Sequence, residues 1–317
     1  VNRRDFALGA GALALTACAT RPALSSADPL LFAYFTTGKG EADGLKLAAS
    51  NDGFTFHPLA GGRSLLVPQV GEKKLLRDPF LFRDGATFHL LWTTAWEGVT
   101  IGHATSTDLV HWSPQRALPV MATVPGTRNC WAPEAIYDPA ARHWLIVWSS
   151  SVTGRYTDTA GTSESGYNHR LWSTTTADFM TFTPPQPLYD PGFSVIDGSF
   201  ARAPDGSLHL IVKDETLVPP RKWLRSAPAY SPAGPFGPLS PPFSPSWVEG
   251  PMTAQVGDAL ICYYDIYKEG RWGAAMTRDM VTWQDVSPRL TMPPGARHGA
   301  LLRVPHAVVA RIGSAVA

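Results

Sequence analysis

Ser106-Thr107-Asp108-Leu109-Val110-His111-Trp112 is one of four copies of a single frame: a hydroxyl side chain, any residue, Asp, three residues, then an aromatic. Ser50-Asn51-Asp52-Gly53-Phe54-Thr55-Phe56, Thr176-Ala177-Asp178-Phe179-Met180-Thr181-Phe182 and Thr277-Arg278-Asp279-Met280-Val281-Thr282-Trp283 are the others. A degenerate copy, from Tyr230-Ser231-Pro232 to Phe236, fills the widest gap between them. Self-similarity at such a period marks a repeat architecture, in which each unit buries its apolar faces against its neighbours. The aspartates read as structural, bonding turn amides at the corners of the units.

Each unit reads as four short strands. After Asp78 come residues 79–82, a turn at Asp84-Gly85, the run Phe88-His89-Leu90-Leu91-Trp92, then Thr100-Ile101-Gly102-His103-Ala104 and a strand around Trp112. Glu134, Asp197 and Glu249 each begin the same series. The fifth unit is divided between the chain ends: residues 299–304 supply its first strand, and 30–35, 45–49 and 54–58 supply the rest. The expected fold is all-β: a five-bladed β-propeller with four antiparallel strands per blade, its ring closed by pairing the N- and C-terminal segments. Residues 30–310 make this single domain, with an export signal at 1–18, a linker at 19–29 and a C-terminal tail at 311–317.

With 44% hydrophobic and 17% charged residues, the chain has the apolar mass for a large core. A net charge of +1 leaves no electrostatic footprint for nucleic acid or for an anionic membrane surface. The aromatic, proline and glycine content suits short strands and tight turns, and equally suits surfaces on which flat sugar faces stack. Cys130 and Cys262 lack metal-type spacing and read as buried free thiols. Arg3-Arg4 precede an apolar run over 6–15, too short to span a bilayer, and Leu15-Thr16-Ala17-Cys18 ends it. This resembles a twin-arginine export signal joined to a bacterial lipobox, with Cys18 lipidated; a short hydrophobic helix with an incidental cysteine is the competing reading. The expectation is an exported protein, periplasmic or at the cell surface, touching membrane only through an N-terminal lipid anchor.

In a propeller the innermost strands line the central channel, so polar residues that open them converge at one end of the axis. Asp78, Glu134, Asp197, Glu249 and His298 stand at such positions, roughly 50–65 residues apart, which is about one blade each. All five are therefore expected to face one pocket.

Arg77-Asp78-Pro79, Trp131-Ala132-Pro133-Glu134, Ile196-Asp197, Glu249-Gly250-Pro251 and Arg297-His298-Gly299 resemble, in order, the signature positions of glycoside hydrolase family 43 and its five-bladed relatives. The resemblance extends over about 30–304. It implies that Asp78 is the general base, Glu249 the general acid, and Asp197 a carboxylate that orients the acid and tunes its pKa. It also matches His298 to a channel histidine that lies near a bound cation or water cluster, and Glu134 to an acidic position without a direct chemical role. No cofactor is implied as a requirement; a structural Ca²⁺ or other cation on the axis is the ion it allows.

Inverting hydrolysis needs one carboxylate to activate water and one carboxylic acid to protonate the leaving oxygen. Ionised Asp197 and adjacent Trp247 are expected to raise the pKa of Glu249 by like charge and desolvation. Arg77 favours the ionised form of Asp78 if its side chain turns inward. Phe80, Trp96, Trp131, Phe193 and Trp247 are candidates for stacking on sugar, and Arg77, Glu134, Arg297 and His298 complete the substrate-binding set. Trp92, Trp148, Trp172 and Trp272 fall inside strands and are expected between blades, while the loop over 149–167 is expected to form a pocket wall or lid. The partner is an oligosaccharide or polysaccharide from which a terminal furanose or pentose, arabinofuranose first, is removed. A retaining hydrolase of the sucrose and fructan type and a non-catalytic sugar-binding propeller are the alternatives.

Overall fold

The computed structural model describes residues 25, 27–37 and 43–314. Five antiparallel sheets are arranged in chain order. Blade 1 runs Arg77–Asp84, Thr87–Thr93, Ile101–Ser106 and Arg116–Leu118 from the inside outward, and blade 2 runs Trp131–Asp138, His143–Ser151, His169–Thr176 and Gln186–Tyr189. In blade 3, Val195–Arg202, Leu208–Asp214 and Leu224–Ala229 are followed by a bridge from Ala229 to Phe236, which is all that the degenerate repeat copy retains of an outer strand. Blade 4 comprises Glu249–Val256, Ala259–Ile266, Arg271–Thr277 and Gln284–Asp285. Blade 5 joins the chain ends: Ala296–Arg303 pairs antiparallel with Leu30–Thr36, then Lys46–Ser50 and His57–Pro58 follow.

The repeated aspartates explain how the blades lock. Asp108 Oδ1 accepts bonds from Val110 N at 2.9 Å and His111 N at 2.8 Å, while Ser106 Oγ accepts from Leu109 N at 2.8 Å. Asp52, Asp178 and Asp279 make the same pair of bonds in their own turns. These bonds hold the residue after Asp in the left-handed region, at φ 65° for Leu109, 57° for Phe179 and 60° for Met280. Each of those side chains is buried in an apolar cluster between neighbouring blades. The outer strands of blades 1 and 2 consequently begin a few residues beyond the repeat, at Arg116 and Gln186, and not at its aromatic.

Five apolar clusters make up the core, and each draws on two adjacent blades. Trp92, Trp148, Trp172 and Trp272 are buried in these seams as expected, and Cys130 and Cys262 are buried free thiols. After the ring closes, the chain forms a helix, His306–Ser314, whose Ile312 is buried against the blade 5–blade 1 cluster. The domain edge expected at 310 thus falls inside a helix. Its alanine and valine run gave no strand-like alternation to mark it. The expected export signal, with Arg3, Arg4 and Cys18, lies outside the described residues.

Candidate active site

Every inner strand opens with an irregular step in pairing: between Arg77 and Phe80, Trp131 and Glu134, Ile196 and Ser199, Glu249 and Met252, and, across the closing blade, between Arg297 and Ala300. Two residues there oppose one on the partner strand, a bulge that re-aims the side chain at its crest. Asp78, Ala132, Asp197 and Gly250 occupy the crests with φ of 50°, 47°, 53° and 61°. His298 holds the same register position in blade 5. A Cβ on Gly250 would stand 2.3 Å from His298 Cγ, so the absence of a side chain there makes room for the imidazole.

This register corrects two of the five expected positions. Glu249 sits one residue before its crest, in line with Arg77, Trp131, Ile196 and Arg297. Glu134 sits two residues after its crest, in line with Phe80 and Ser199. Glu249 still reaches the pocket. Glu134 does not; it is buried alongside Ser199 and Phe200 of blade 3, and burial pushes its carboxyl up to about 8, against the pull of His298.

A pocket of about 610 Å³ opens over these crests. Asp78, Asp197 and Glu249 line it together with Arg77, Trp96, Trp131, Arg297 and His298. Thr93 Oγ1 donates to Asp78 Oδ2 at 2.7 Å, and His298 Nδ1 lies 3.3 Å from Asp78 Oδ1. Burial opposes the Asp78 charge, but the bond and charge of His298, the charge of Arg77 and the Thr93 hydroxyl outweigh it and hold this carboxyl below its ordinary value. Burial likewise opposes the His298 cation, yet Asp78, Asp197 and Glu249 push the imidazole up to about 9. Arg77 does turn inward, its guanidinium stacked between Phe35 at 4.7 Å and Trp96 at 4.3 Å.

Asp197 Oδ2 accepts a bond from Gly250 N at 3.0 Å, and its own N–H donates to Ser149 Oγ at 3.1 Å. Burial raises the Asp197 carboxyl; His298 and Lys213 oppose this while Glu249 and Asp78 add to it. Glu249 Oε2 accepts from Lys213 Nζ at 3.3 Å, and Glu249 Oε1 lies 3.6 Å from Arg297 Nη2.

Three aromatic expectations do not hold. Phe80 packs on Phe82 in the seam between blades 1 and 2, because the bulge sends it away from the axis. Phe193 lies against the seam of blades 2 and 3 beneath the guanidiniums of Arg221 and Arg225. Trp247 is covered by Lys268 Nζ, 2.9 Å from its ring centroid, and meets Tyr267 edge-on. None of the three lines the pocket, so Trp247 does not desolvate Glu249 there. Trp96, 45% exposed, and Trp131 form a perpendicular corner instead, with Trp131 Nε1 donating to Trp96 O at 2.9 Å.

Among the described residues, no group of three or more His, Cys, Asp or Glu side chains is placed to hold a metal ion. His298, the residue matched to the cation position, is engaged by Asp78 at 3.3 Å. No step below passes through a cation.

Residues 28–308 match the family-43-related group described as a "probable glycosyl hydrolase domain". The chain belongs to this family. An α-L-arabinofuranosidase of Bifidobacterium longum subsp. longum is 27% identical over 198 residues, which is 56% of this chain and 18% of that protein. The chain thus spans less than a fifth of that curated relative. Among solved structures, an α-L-arabinofuranosidase from Lactobacillus brevis matches with TM-score 0.52 at 15% identity, covering 67% of this chain and 72% of that one. An endo-arabinase from Bacteroides thetaiotaomicron matches with TM-score 0.53 at 16% identity, over 67% and 80%. At that identity the structures show a shared fold.

Within this family member, sequence reasoning missed four residues near the ends of the second strands. Thr93, Ser149, Lys213 and Asp265 are register equivalents, and each reaches the next blade: Thr93 Oγ1 accepts from Ala132 N at 2.8 Å, Ser149 from Asp197 N, Lys213 bonds Glu249, and Asp265 pairs with Arg297 at 2.6 Å. The signal was a polar residue closing an apolar strand, most visibly Lys213-Asp214-Glu215 after Leu210-Ile211-Val212. The 149–167 loop does form a wall, contributing Glu164, Ser165 and Tyr167 to the pocket. His169 joins them; burial takes its imidazole down to about 3, so it lines the site uncharged.

Proposed function

We propose that this domain is an inverting glycoside hydrolase that removes a terminal furanose or pentose, arabinofuranose first, from an oligosaccharide or polysaccharide. The observation that carries the reading is the convergence of Asp78, Asp197 and Glu249, from blades 1, 3 and 4, on one pocket beside the Trp96–Trp131 corner. Family membership supports glycosidic substrates, and the named activities of the Bifidobacterium and Lactobacillus relatives favour arabinofuranose.

In this reading Asp78 takes a proton from a water that attacks the anomeric carbon, while Glu249 gives its proton to the departing oxygen. His298 and Thr93 keep Asp78 ionised and fix its rotamer. Asp197, anchored through Gly250 N, presents a second negative charge toward Glu249. The exposed face of Trp96 offers apolar surface to a sugar ring.

The test is a proton NMR time course on 4-nitrophenyl α-L-arabinofuranoside. First-formed product of inverted anomeric configuration is expected, with Asp78→Ala and Glu249→Ala each losing several orders of magnitude in rate. Retained configuration rejects the mechanism, and near-wild-type turnover in either variant rejects the assignment.

A further inference from the structure

Glu249 touches two cations, an awkward setting for a group that must deliver a proton. Lys213 Nζ is 3.3 Å from one oxygen and Arg297 Nη2 is 3.6 Å from the other. Taken alone, this pair would fix Glu249 as a carboxylate. Each cation, however, already has another partner at closer range. Lys213 Nζ lies 3.0 Å from Glu215 Oε2, and Arg297 Nε lies 2.6 Å from Asp265 Oδ2.

Lys213 is buried, and Arg297 is mostly buried with its side chain 20% exposed. The Lys213 side chain is 2% exposed, and Glu215 and Asp265 are 9% and 2% exposed. Glu215 is shared with a second buried ammonium, Lys222, which in turn pairs with Glu164 of the 149–167 loop at 3.2 Å. Lys213, Lys222 and Arg297 are therefore matched by Glu215, Glu164 and Asp265, three cations against three carboxylates. With Glu249 left out of the count the cluster is neutral. Ionisation of Glu249, whose side chain is 23% exposed, adds a net negative charge to these pairs beside a further carboxylate, Asp197.

We infer that Glu215 and Asp265 are positioning residues that act on Glu249 through Lys213 and Arg297, neutralising both cations in advance so that the acid retains its proton until the leaving group departs. The inference rests on Glu249 being the general acid. The remaining groups that act on Glu249 are Asp197 from blade 3, Tyr267 from blade 4 and His298 from blade 5. His298 is matched by Asp78, as Lys213 is by Glu215. Burial pushes the Asp265 carboxyl up to about 6 against the pull of Arg297, so it matches that guanidinium above this pH, while the Lys213–Glu215 pair is charged throughout the neutral range. The Lys213 ammonium, despite a burial penalty, is held well above its ordinary value by Glu215, Glu249 and Asp197, and the Glu215 carboxyl, despite its own burial, is held below its ordinary value by Lys213 and Lys222.

The scheme predicts shifts of opposite sign from the two ends of one ion pair. Lys213→Met removes a cation from Glu249, and the alkaline limb of kcat/KM against pH should move up by about one unit. Glu215→Gln frees Lys213 to act on Glu249 alone, and the limb should move down by about one unit; Asp265→Asn should do the same through Arg297. A merely structural role for these residues would lower Tm and rate without displacing the limb in opposite directions. The second readout is independent of turnover: carbon NMR titration of the Glu249 carboxyl in protein labelled at the glutamate side-chain carbon, assigned by Glu249→Gln. Its midpoint should follow the same signs. Midpoints within about 0.3 unit of wild type in the folded variants overturn the inference. If Glu249→Gln itself keeps wild-type rates on a substrate with a poor leaving group, the general-acid assignment fails instead.

Discussion

The two sides of the pocket handle a carboxylate in opposite ways. On the blade 1–blade 5 side, Asp78 pairs with His298, feels the charge of Arg77 and accepts a hydroxyl from Thr93. On the blade 3–blade 4 side, Glu249 has two cations, and each is claimed by another carboxylate. Proximity to positive charge therefore does not by itself assign a role. What matters is which carboxylate each cation pairs with most closely. His298 has Asp78 as its ion-pair partner and holds that carboxyl low, whereas each cation beside Glu249 pairs more closely with another carboxylate.

Breaking the base side should have the largest effect. Asp78→Asn should cost about 10⁴-fold or more in kcat, measured on the aryl arabinofuranoside, if Asp78 is the general base of the proposed mechanism. His298→Gln should cost about 10²-fold and move the acid limb of kcat/KM upward, since Asp78 loses the partner that holds its carboxyl low.

The same histidine sets a pH window for stability. Its folded value of about 9 lies above the ordinary 6.5, so its contribution is complete below about 6.5 and lost as pH rises through about 9. Thermal denaturation should show Tm falling across that interval, by up to about 3 kcal/mol of stability, with a flatter profile in His298→Gln. The buried Glu134, raised to about 8, adds a loss of the same sign as it is forced to ionise.

Smaller effects separate the aromatic corner from the scaffold. Trp96→Ala should raise KM about tenfold with kcat little changed, as expected for lost stacking, which steady-state kinetics will read. Asp108→Ala, far from the pocket, should cost about 1 kcal/mol in denaturant unfolding through its two lost turn bonds and leave kcat/KM unchanged.

Much of this was legible in the sequence for a physical reason. The Ser/Thr-x-Asp turn is local: its bonds span two or three residues, so Asp52, Asp108, Asp178 and Asp279 announce blade corners without any tertiary information. Asp78, Asp197, Arg297 and His298 were likewise placed correctly, because the strand that carries each begins at a recognisable apolar run. The bulges were not legible. One inserted residue per inner strand shifts which side chain faces the axis, which is why Glu134 and Phe80 were assigned to a pocket they do not line. Lys213, Glu215 and Asp265 were missed because their importance lies in partners one blade away. Sequence spacing carries no information about such pairs.

The asymmetry between Asp78 and Glu249 is tested most directly by leaving-group dependence. Rates of Asp78→Asn and Glu249→Gln should be compared on 2,4-dinitrophenyl α-L-arabinofuranoside, whose leaving group needs no proton, and on an unactivated alkyl arabinofuranoside, whose leaving group does. The account predicts that Glu249→Gln keeps most of its rate on the dinitrophenyl substrate and loses it on the alkyl one, while Asp78→Asn fails on both. Equal losses for the two variants on both substrates would contradict it.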